Sequence, residues 1–298
     1  MTLPHEFISN KRVLDNEEEG FLYHFGLSRT LHDLPSMFND VKFVCCGGSA
    51  TRMKNISEIF EEKLGKKLKL PAGTSQRNYS LKDRFCIYKV GPILLINHGM
   101  GAPSISIMLI ETFKLLYFAG CSGVTFFRVG TSGGIGLEPG TVVISTGAVD
   151  GELESVHKQV VLGKVQRRDA TLPVKLSEEI YELGKAENFP FPLAKGVTMC
   201  ADDFYEGQAR TDGAFCDFDH EEKMDFLKKA YKIGVRNIEM ESSCFAAMCN
   251  RANVNCALVC VTLLDRLENE MTTASPAQLK EWETRPALVA AAYMNQFF

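Results

Sequence analysis

The chain has 298 residues, 45% of them hydrophobic and 23% charged, a globular balance that excludes disordered and collagen-like classes. Lysine and arginine number 33 against 37 acidic residues, a net charge of -4, so a surface for nucleic acid or anionic membrane is not expected. Any bound phosphate must then be held by a few locally focused arginines. The opening MTLPHEFISNKRVLDNEEEG has no apolar signal-peptide core, and the longest apolar runs are broken by Glu111, Lys114 or glycines. A soluble chain with no membrane span is therefore predicted. Ten cysteines with no CxxC pair, most of them in apolar runs, fit reduced core thiols in a cytoplasmic compartment better than metal ligands.

With no internal repeat or Pro/Ser-rich linker, residues 1–298 read as one domain, 1–20 being an N-terminal extension. A first strand is predicted over 41–46 (VKFVCC), leaving through the glycine-rich CCGGSATRMK into a helix over 52–64. Strands over 85–90 and 92–98 follow, then a second glycine-rich exit, NHGMGAPSIS. In the helix predicted over 103–119, Ile105, Met108, Leu109, Thr112, Leu115 and Leu116 share one face. A strand over 123–129 runs into the third exit, RVGTSGGIGLEPGTVV. Further strands are predicted over 141–146, 195–200, 237–240 and 255–263, with helices over 175–187, 219–232, 241–252 and 276–297. Lys63, Lys66, Lys67 and Lys69 read as a solvated helix end and loop, and Arg167 and Arg168 likewise. Strands alternating with helices give an α/β fold with a largely parallel or mixed sheet. The carboxyl ends of its strands are the natural place for a site.

Glycine lets backbone N–H groups approach an anion, and a following helix adds its positive N-terminal end. The first exit also offers Arg52, one helical turn after Gly48; the third has Arg128 at the end of an apolar strand with Thr131 just beyond. An arginine in so apolar a run needs an anionic partner, either a ligand or a structural carboxylate. Gly134-Ile-Gly136 is no dinucleotide fingerprint, because Pro139 takes the third glycine position and a strand follows; GxxxxGK[ST] is absent. In DDFYEGQARTDG, Gln208 and Arg210 are two residues apart and face the same way in extended chain. They could read the carbonyl and N–H edges of a planar ring while Phe204 stacks on its face, or they could belong to an ordinary polar surface loop. In RNIEMESS, Glu239 and Glu241 flank Met240 where a short strand meets an apolar helix. Glu241 could accept hydrogen bonds from the paired hydroxyls of a ribose; the alternative is helix N-capping by Glu241 or Ser242. His98 reads as a strand-end histidine with structural partners. No catalytic triad or metal-ligand cluster emerges.

Taken together, GGSATRM, HGMGAPS, RVGTSGGIGLEPG, FYEGQARTDG and RNIEMESSCFAAMC closely resemble the animal-type uridine phosphorylases of nucleoside phosphorylase superfamily I, from about Tyr23 to the carboxyl end. The glycine–arginine elements mark the superfamily; Gln-x-Arg together with NIEMES narrows it. The resemblance implies a three-layer α/β/α sandwich with a mixed, partly barrel-like central sheet. It implies phosphate held by Gly48, Arg52, Arg128 and Thr131, joined by Arg84 from a neighbouring subunit. Ribose is implied at Met240 and Glu241, with the neighbour's His24 near the 5′-hydroxyl. Uracil is implied against Phe204 and Gly133, with Gln208 at O2 and N3, Arg210 at O4 and Arg266 beyond. Arg128, Gln208, Arg210 and Glu241 are the implied catalytic residues.

The implied activity is reversible phosphorolysis of uridine to uracil and ribose 1-phosphate, in pyrimidine salvage, by a cytoplasmic homodimer with shared sites. Phosphate is then a co-substrate, and no organic cofactor or metal is implied. Bacterial relatives hold potassium through a glutamate beside the neighbour-donated arginine, whereas Phe85 follows Arg84 here. Asp265 stands where the animal enzymes are expected to carry Asn, and purine-specific relatives use an Asp near this point. The alternatives are accordingly a broad-range or purine nucleoside phosphorylase, or an inactive ligand-binding relative. A water-using nucleosidase is disfavoured by the complete set of phosphate residues.

Overall fold

The computed structural model describes residues 6–15 and 20–298; residues 1–5 and 16–19 of the predicted extension lie outside the described residues. Two compact units are present. One takes the chain up to Arg128 with Met248–Cys256 and Met294–Phe298; the other takes Val129–Ala247 and Ala257–Tyr293.

The first unit opens with α1 (Lys11–Asp15), the short strands β1 (Phe21–Leu22) and β2 (Leu27–Ser28), and α2 (Leu34–Phe38). Ahead of α1, Phe7 and Ile8 are buried, and the Phe7 N–H donates to the Ala252 carbonyl at 2.8 Å. There follow β3 (Phe43–Gly47), α3 (Ala50–Leu64), β4 (Ile87–Val90), β5 (Ile93–Asn97), α4 (Ala102–Phe118) and the start of β6 (Thr125–Gly134). Strand β3 lies parallel to β5 on one side and to β6 on the other, with Cys46 opposite Arg128, and β4 runs antiparallel to β5. Every residue of β3 and β5 is buried. That accounts for their unbroken apolar sequences, since a strand covered on both faces has no polar side to show.

The second unit contains β7 (Val142–Val149), β8 (Val156–Val161), β9 (Lys164–Asp169), α5 (Val174–Ala186), β10 (Leu193–Cys200), α6 (His220–Lys232) and β11 (Val235–Glu239). After these come α7 (Ser242–Arg251), β12 (Asn255–Asp265), α8 (Pro276–Trp282) and α9 (Arg285–Met294). Its strands run in the order β11-β10-β7-β12-β6, and β11 pairs back onto β6 with Ile238 opposite Gly133 and Asn237 opposite Gly134. The five strands thus close into a barrel. Pairings are parallel between β10 and both β7 and β11, and antiparallel between β12 and β7 and between β11 and β6. The fold is α/β with a mixed, partly barrel-like sheet, as the resemblance implies.

Three local expectations are corrected. The strand predicted to end at 129 continues to Gly134, so the first half of the third glycine-rich exit is sheet. Its glycines serve close packing: a Cβ on Gly134 would sit 2.9 Å from the Leu264 carbonyl oxygen. The helix expected over 276–297 is two helices and a terminal 3-10 turn, because Pro286 has no N–H to continue a helix and can stand only in the first turn of α9. Arg167 and Arg168 lie not in a loop but in β9, paired with β8 across Leu162 and Gly163, both at positive φ. That is the backbone of a two-residue hairpin turn.

Candidate active site

The first glycine-rich exit builds an anion-ready helix start. From β3 the chain passes through Gly48 to Ser49, whose hydroxyl accepts the Arg52 N–H at 3.3 Å and caps the N-terminus of α3. Gly48 packs against the second exit: its carbonyl accepts the Gly99 N–H at 3.0 Å, and a Cβ on Gly48 would stand 3.1 Å from the Gly99 oxygen. Buried His98 lies beside it. On the neighbouring strand Arg128 is 3% exposed. Burial this deep is tolerated for a guanidinium only with compensating partners, so Arg128 is fixed by its surroundings. Thr131 follows three residues along β6, half-buried, in the second unit.

His24 and Arg84, also in the first unit, lie near its surface. The His24 ring, one-third exposed, places Nδ1 2.6 Å from Glu111 Oε1. Glu111, from α4, also accepts the backbone N–H groups of His24 (2.9 Å) and Phe25 (3.1 Å). Arg84 is exposed at the end of a polar stretch, and the adjoining Phe85 meets the His24 ring edge-on at a centroid distance of 6.1 Å. The structure therefore groups the two residues that the resemblance assigns to a neighbouring subunit.

The ring-reading segment belongs to the second unit and is not the extended chain expected. After β10, the Asp203 carboxylate accepts the N–H groups of Tyr205 and Gly207, both at 2.5 Å, and starts a 3-10 turn over Glu206–Gln208. Ala209 then adopts a left-handed conformation with φ of 55°, and the Tyr205 carbonyl accepts both Gln208 N–H (3.1 Å) and Arg210 N–H (3.0 Å). Folded this way, the Gln208 and Arg210 side chains are both buried, which excludes the surface-loop alternative. Arg210 donates from Nε to Asp212 at 2.8 Å and from Nη2 to its other oxygen, with Cζ 4.6 Å from the centre of the Phe204 ring. The pair holds the Arg210 pKa up and the Asp212 carboxyl below its ordinary range, chiefly through their mutual hydrogen bond. Arg266, 1% exposed, donates from Nη2 to the carbonyls of Gln208 (2.9 Å) and Ala209 (3.1 Å). Its stem fills the space that a side chain at Gly133 would take, 3.0 Å from the ideal Cβ position. Burial pushes the Arg266 guanidinium pKa down, while the neighbouring Glu270 opposes that shift.

In RNIEMESS a second carboxylate, Glu239, also reaches the start of α7, where the Glu241 carbonyl accepts the Phe245 N–H at 2.9 Å. The buried Glu239 carboxylate accepts the N–H groups of Glu241 (2.9 Å) and Ser242 (2.8 Å) ahead of α7. The Glu241 carboxylate is itself buried, next to half-buried Met240. Asp265 is likewise engaged: Oδ1 accepts the N–H groups of Gly136 (2.9 Å) and Leu267 (3.0 Å).

All ten cysteines are free thiols and eight are buried; burial pushes Cys244 up to about 12. Among the described residues one acidic group, Asp150, Glu152 and Glu154, is close enough to share a metal, but it surrounds Lys158, which pairs with all three. No helix among the described residues is long and apolar enough to cross a membrane. Sequence reasoning missed Glu111, Asp212, Glu239 and Glu270 as holders of the candidate side chains. Only Glu111 left a signal, as a carboxylate interrupting an apolar helix.

The sequence profile of the phosphorylase superfamily matches residues 42–295. The chain belongs to the phosphorylase superfamily. Among its members, the uridine and thymidine phosphorylase of Caenorhabditis elegans is 47% identical over 287 residues, covering 96% of this chain and 94% of that protein. Uridine phosphorylase 2 of Homo sapiens is 48% identical over 95% of this chain and 88% of its own length. The crystal structure of a Schistosoma mansoni uridine phosphorylase with thymidine superposes with a TM-score of 0.91 at 37% identity, covering 97% of both chains. A second schistosome member, named inactive uridine phosphorylase B, is 37% identical over 97% of this chain and 96% of its own.

Proposed function

We propose that this chain is a uridine phosphorylase, a cytoplasmic enzyme of pyrimidine salvage that converts uridine and phosphate reversibly to uracil and ribose 1-phosphate. The observation that carries the reading is the pair of buried side chains, Gln208 and Arg210, on a segment held by Arg266. An amide and a guanidinium so fixed match the alternating carbonyl and N–H edge of uracil, and the Phe204 ring beside them offers a stacking face. Full-length relatives named as uridine phosphorylases support the same reading.

Gly48, Arg52, Arg128 and Thr131 hold the phosphate dianion, and Met240 and Glu241 hold the ribose hydroxyls. Gln208 serves O2 and N3 and Arg210 serves O4, with Gly133 and Arg266 behind the base. In the reaction the N-glycosidic bond breaks, its electron pair leaving on uracil N1 and spreading to O2 and O4. A phosphate oxygen bonds to C1′, and the phosphate proton ends on the base. Donors aimed at O2 and O4 stabilise charge where it develops, and the dianion stabilises the positive sugar. Holding both reactants in place supplies much of the remainder, so no strong general acid, cofactor or metal is needed.

Arg84 and His24 act on the site of a second copy in a homodimer. Support comes from their surface position and from the exposed apolar side chains of the same unit, among them Tyr23, Leu81, Met100 and Ile110. The amides of Gly136 and Leu267 both hold Asp265 Oδ1, which orients this carboxylate toward backbone, and this favours the pyrimidine reading over the purine one.

The test is consumption of uridine, thymidine, inosine and adenosine with and without phosphate. Phosphate-dependent loss of uridine is expected. Equal uracil release without phosphate would mark a nucleosidase, and faster use of inosine a purine enzyme. A folded protein that binds uracil and turns over nothing would join the inactive schistosome relative.

A further inference from the structure

Lys223 on α6 is 5% exposed, and a lysine is almost never so buried without a partner. Its ammonium donates to Oε1 of Glu270, and the same oxygen accepts the Thr211 hydroxyl at 3.2 Å. The other oxygen, Oε2, stands 3.3 Å from Arg266 Nη2, the nitrogen that donates to the carbonyls of Gln208 and Ala209. Glu270 therefore grips the ring-reading segment at 208 and 209 through Arg266 and at 211 directly. These positions include Gln208 itself and flank Arg210 on both sides. Between the two lies Ala209, a non-glycine residue in the left-handed region, a conformation that must be imposed by its surroundings.

We infer that Glu270 is a positioning residue: with Lys223 and Arg266 it forms a clamp that fixes Gln208 and Arg210 before the nucleoside arrives. The inference rests on the uridine phosphorylase reading and adds a determinant to it. Burial works to raise the Glu270 pKa, but Lys223, Arg266 and Thr211 outweigh it and hold the carboxyl below its ordinary range. The clamp thus stays charged at neutral pH. Preorganisation of this kind lowers the ordering cost that substrate binding must otherwise meet.

The experiment compares Glu270→Ala, Glu270→Gln and Lys223→Met in the full chain. It measures KM for uridine and for phosphate, kcat, Tm, and backbone hydrogen exchange over 204–211. Loss of charged hydrogen bonds at one hub predicts that Glu270→Ala raises the uridine KM roughly tenfold to a hundredfold. The phosphate KM should move less than about twofold, because only base reading is loosened. Exchange over 204–211 should accelerate in all three variants, with Glu270→Gln in between, since it keeps one acceptor oxygen and loses the charge and the second. If the alanine variant fails to fold, the glutamine and Lys223→Met variants carry the same comparison.

The inference is overturned if folded variants keep the wild-type uridine KM and segment exchange. It is equally overturned if uridine and phosphate constants worsen together in proportion to Tm, the mark of general destabilisation. If the wild type shows no phosphate-dependent uridine cleavage, the functional reading fails, and the exchange measurement still decides whether the clamp exists.

Discussion

Replacing Gln208 by leucine separates base recognition from folding more cleanly than any other single change. The side chain is buried, and leucine fills nearly its volume without the polar atoms. What ties the position into the fold is its backbone: the carbonyl that accepts Arg266 Nη2 at 2.9 Å and the N–H that donates to Tyr205 at 3.1 Å. Neither depends on the amide, so Tm should hold. The loss falls on the substrate, whose O2 and N3 each lose a partner in a closed site, at about 1–3 kcal/mol per unmet group. The sum, roughly 2–6 kcal/mol, corresponds to a fall in kcat/KM of about thirtyfold to 25,000-fold. The assay follows the absorbance change from uridine to uracil in saturating phosphate, with Tm as the control for folding. A folded Gln208→Leu enzyme with near-normal kcat/KM would place base recognition elsewhere and refute the reasoning.

Two further substitutions address the other reactants. Glu241→Ala should depress kcat/KM for uridine more than for 2′-deoxyuridine, since a carboxylate that bonds the 2′-hydroxyl loses nothing on a substrate without it; equal losses would restrict Glu241 to the 3′-hydroxyl or to structure. Arg52→Ala and Arg84→Ala should each be nearly inactive, yet refolding them together should recover about a quarter of wild-type activity, because half the dimers are mixed and each has one intact site. Mixed dimers that form without recovery would show that Arg84 serves its own chain.

The sequence makes the buried strands and the glycine exits legible because both are local statements. Val44 and Leu94 lie in unbroken apolar runs that only a doubly covered strand tolerates. Gly48 before Ser49 announces a helix start in the same direct way. The charged hairpin of β8 and β9 shows no apolar alternation, so nothing in Arg167 or Arg168 distinguishes it from a loop. The compact turn at Gln208 was hidden for a different reason. Its shape is set by Asp203, Arg266 and Glu270, and two of these are more than fifty residues away. The same holds at Glu239: it and the ribose candidate Glu241 are carboxylates two residues apart, and only folding shows Glu239 turning back onto the amides of 241 and 242.

The barrel poses a related problem of register, and its interior suggests how it is solved. Apolar strands can slide against one another with little loss, whereas a slip of one residue would exchange inward and outward side chains along β6 and β11. Asn237 on β11 is fully buried, accepting from the Thr198 hydroxyl at 2.8 Å and donating to the Ser132 hydroxyl at 3.0 Å. Ser132 in turn donates to the Val261 carbonyl at 3.0 Å, and Thr198 meets Ser145 at 2.5 Å, so the chain of contacts touches all five barrel strands. Ser132 lies between Thr131 and Gly133, and Asn237 precedes Glu239 by two residues; a network that fixes these strands fixes the candidate residues on them. Asn237→Leu leaves two hydroxyls each short of one partner, a loss of about 1–3 kcal/mol apiece that relief of amide burial offsets only in part. Tm should therefore fall by several degrees, and the uridine KM should rise as β6 and β11 loosen. Asn237→Asp, which keeps an acceptor for Thr198 but loses the donor to Ser132, should show the same direction. If Asn237→Leu matches wild type in both Tm and uridine KM, the network is incidental and side-chain packing alone sets the register.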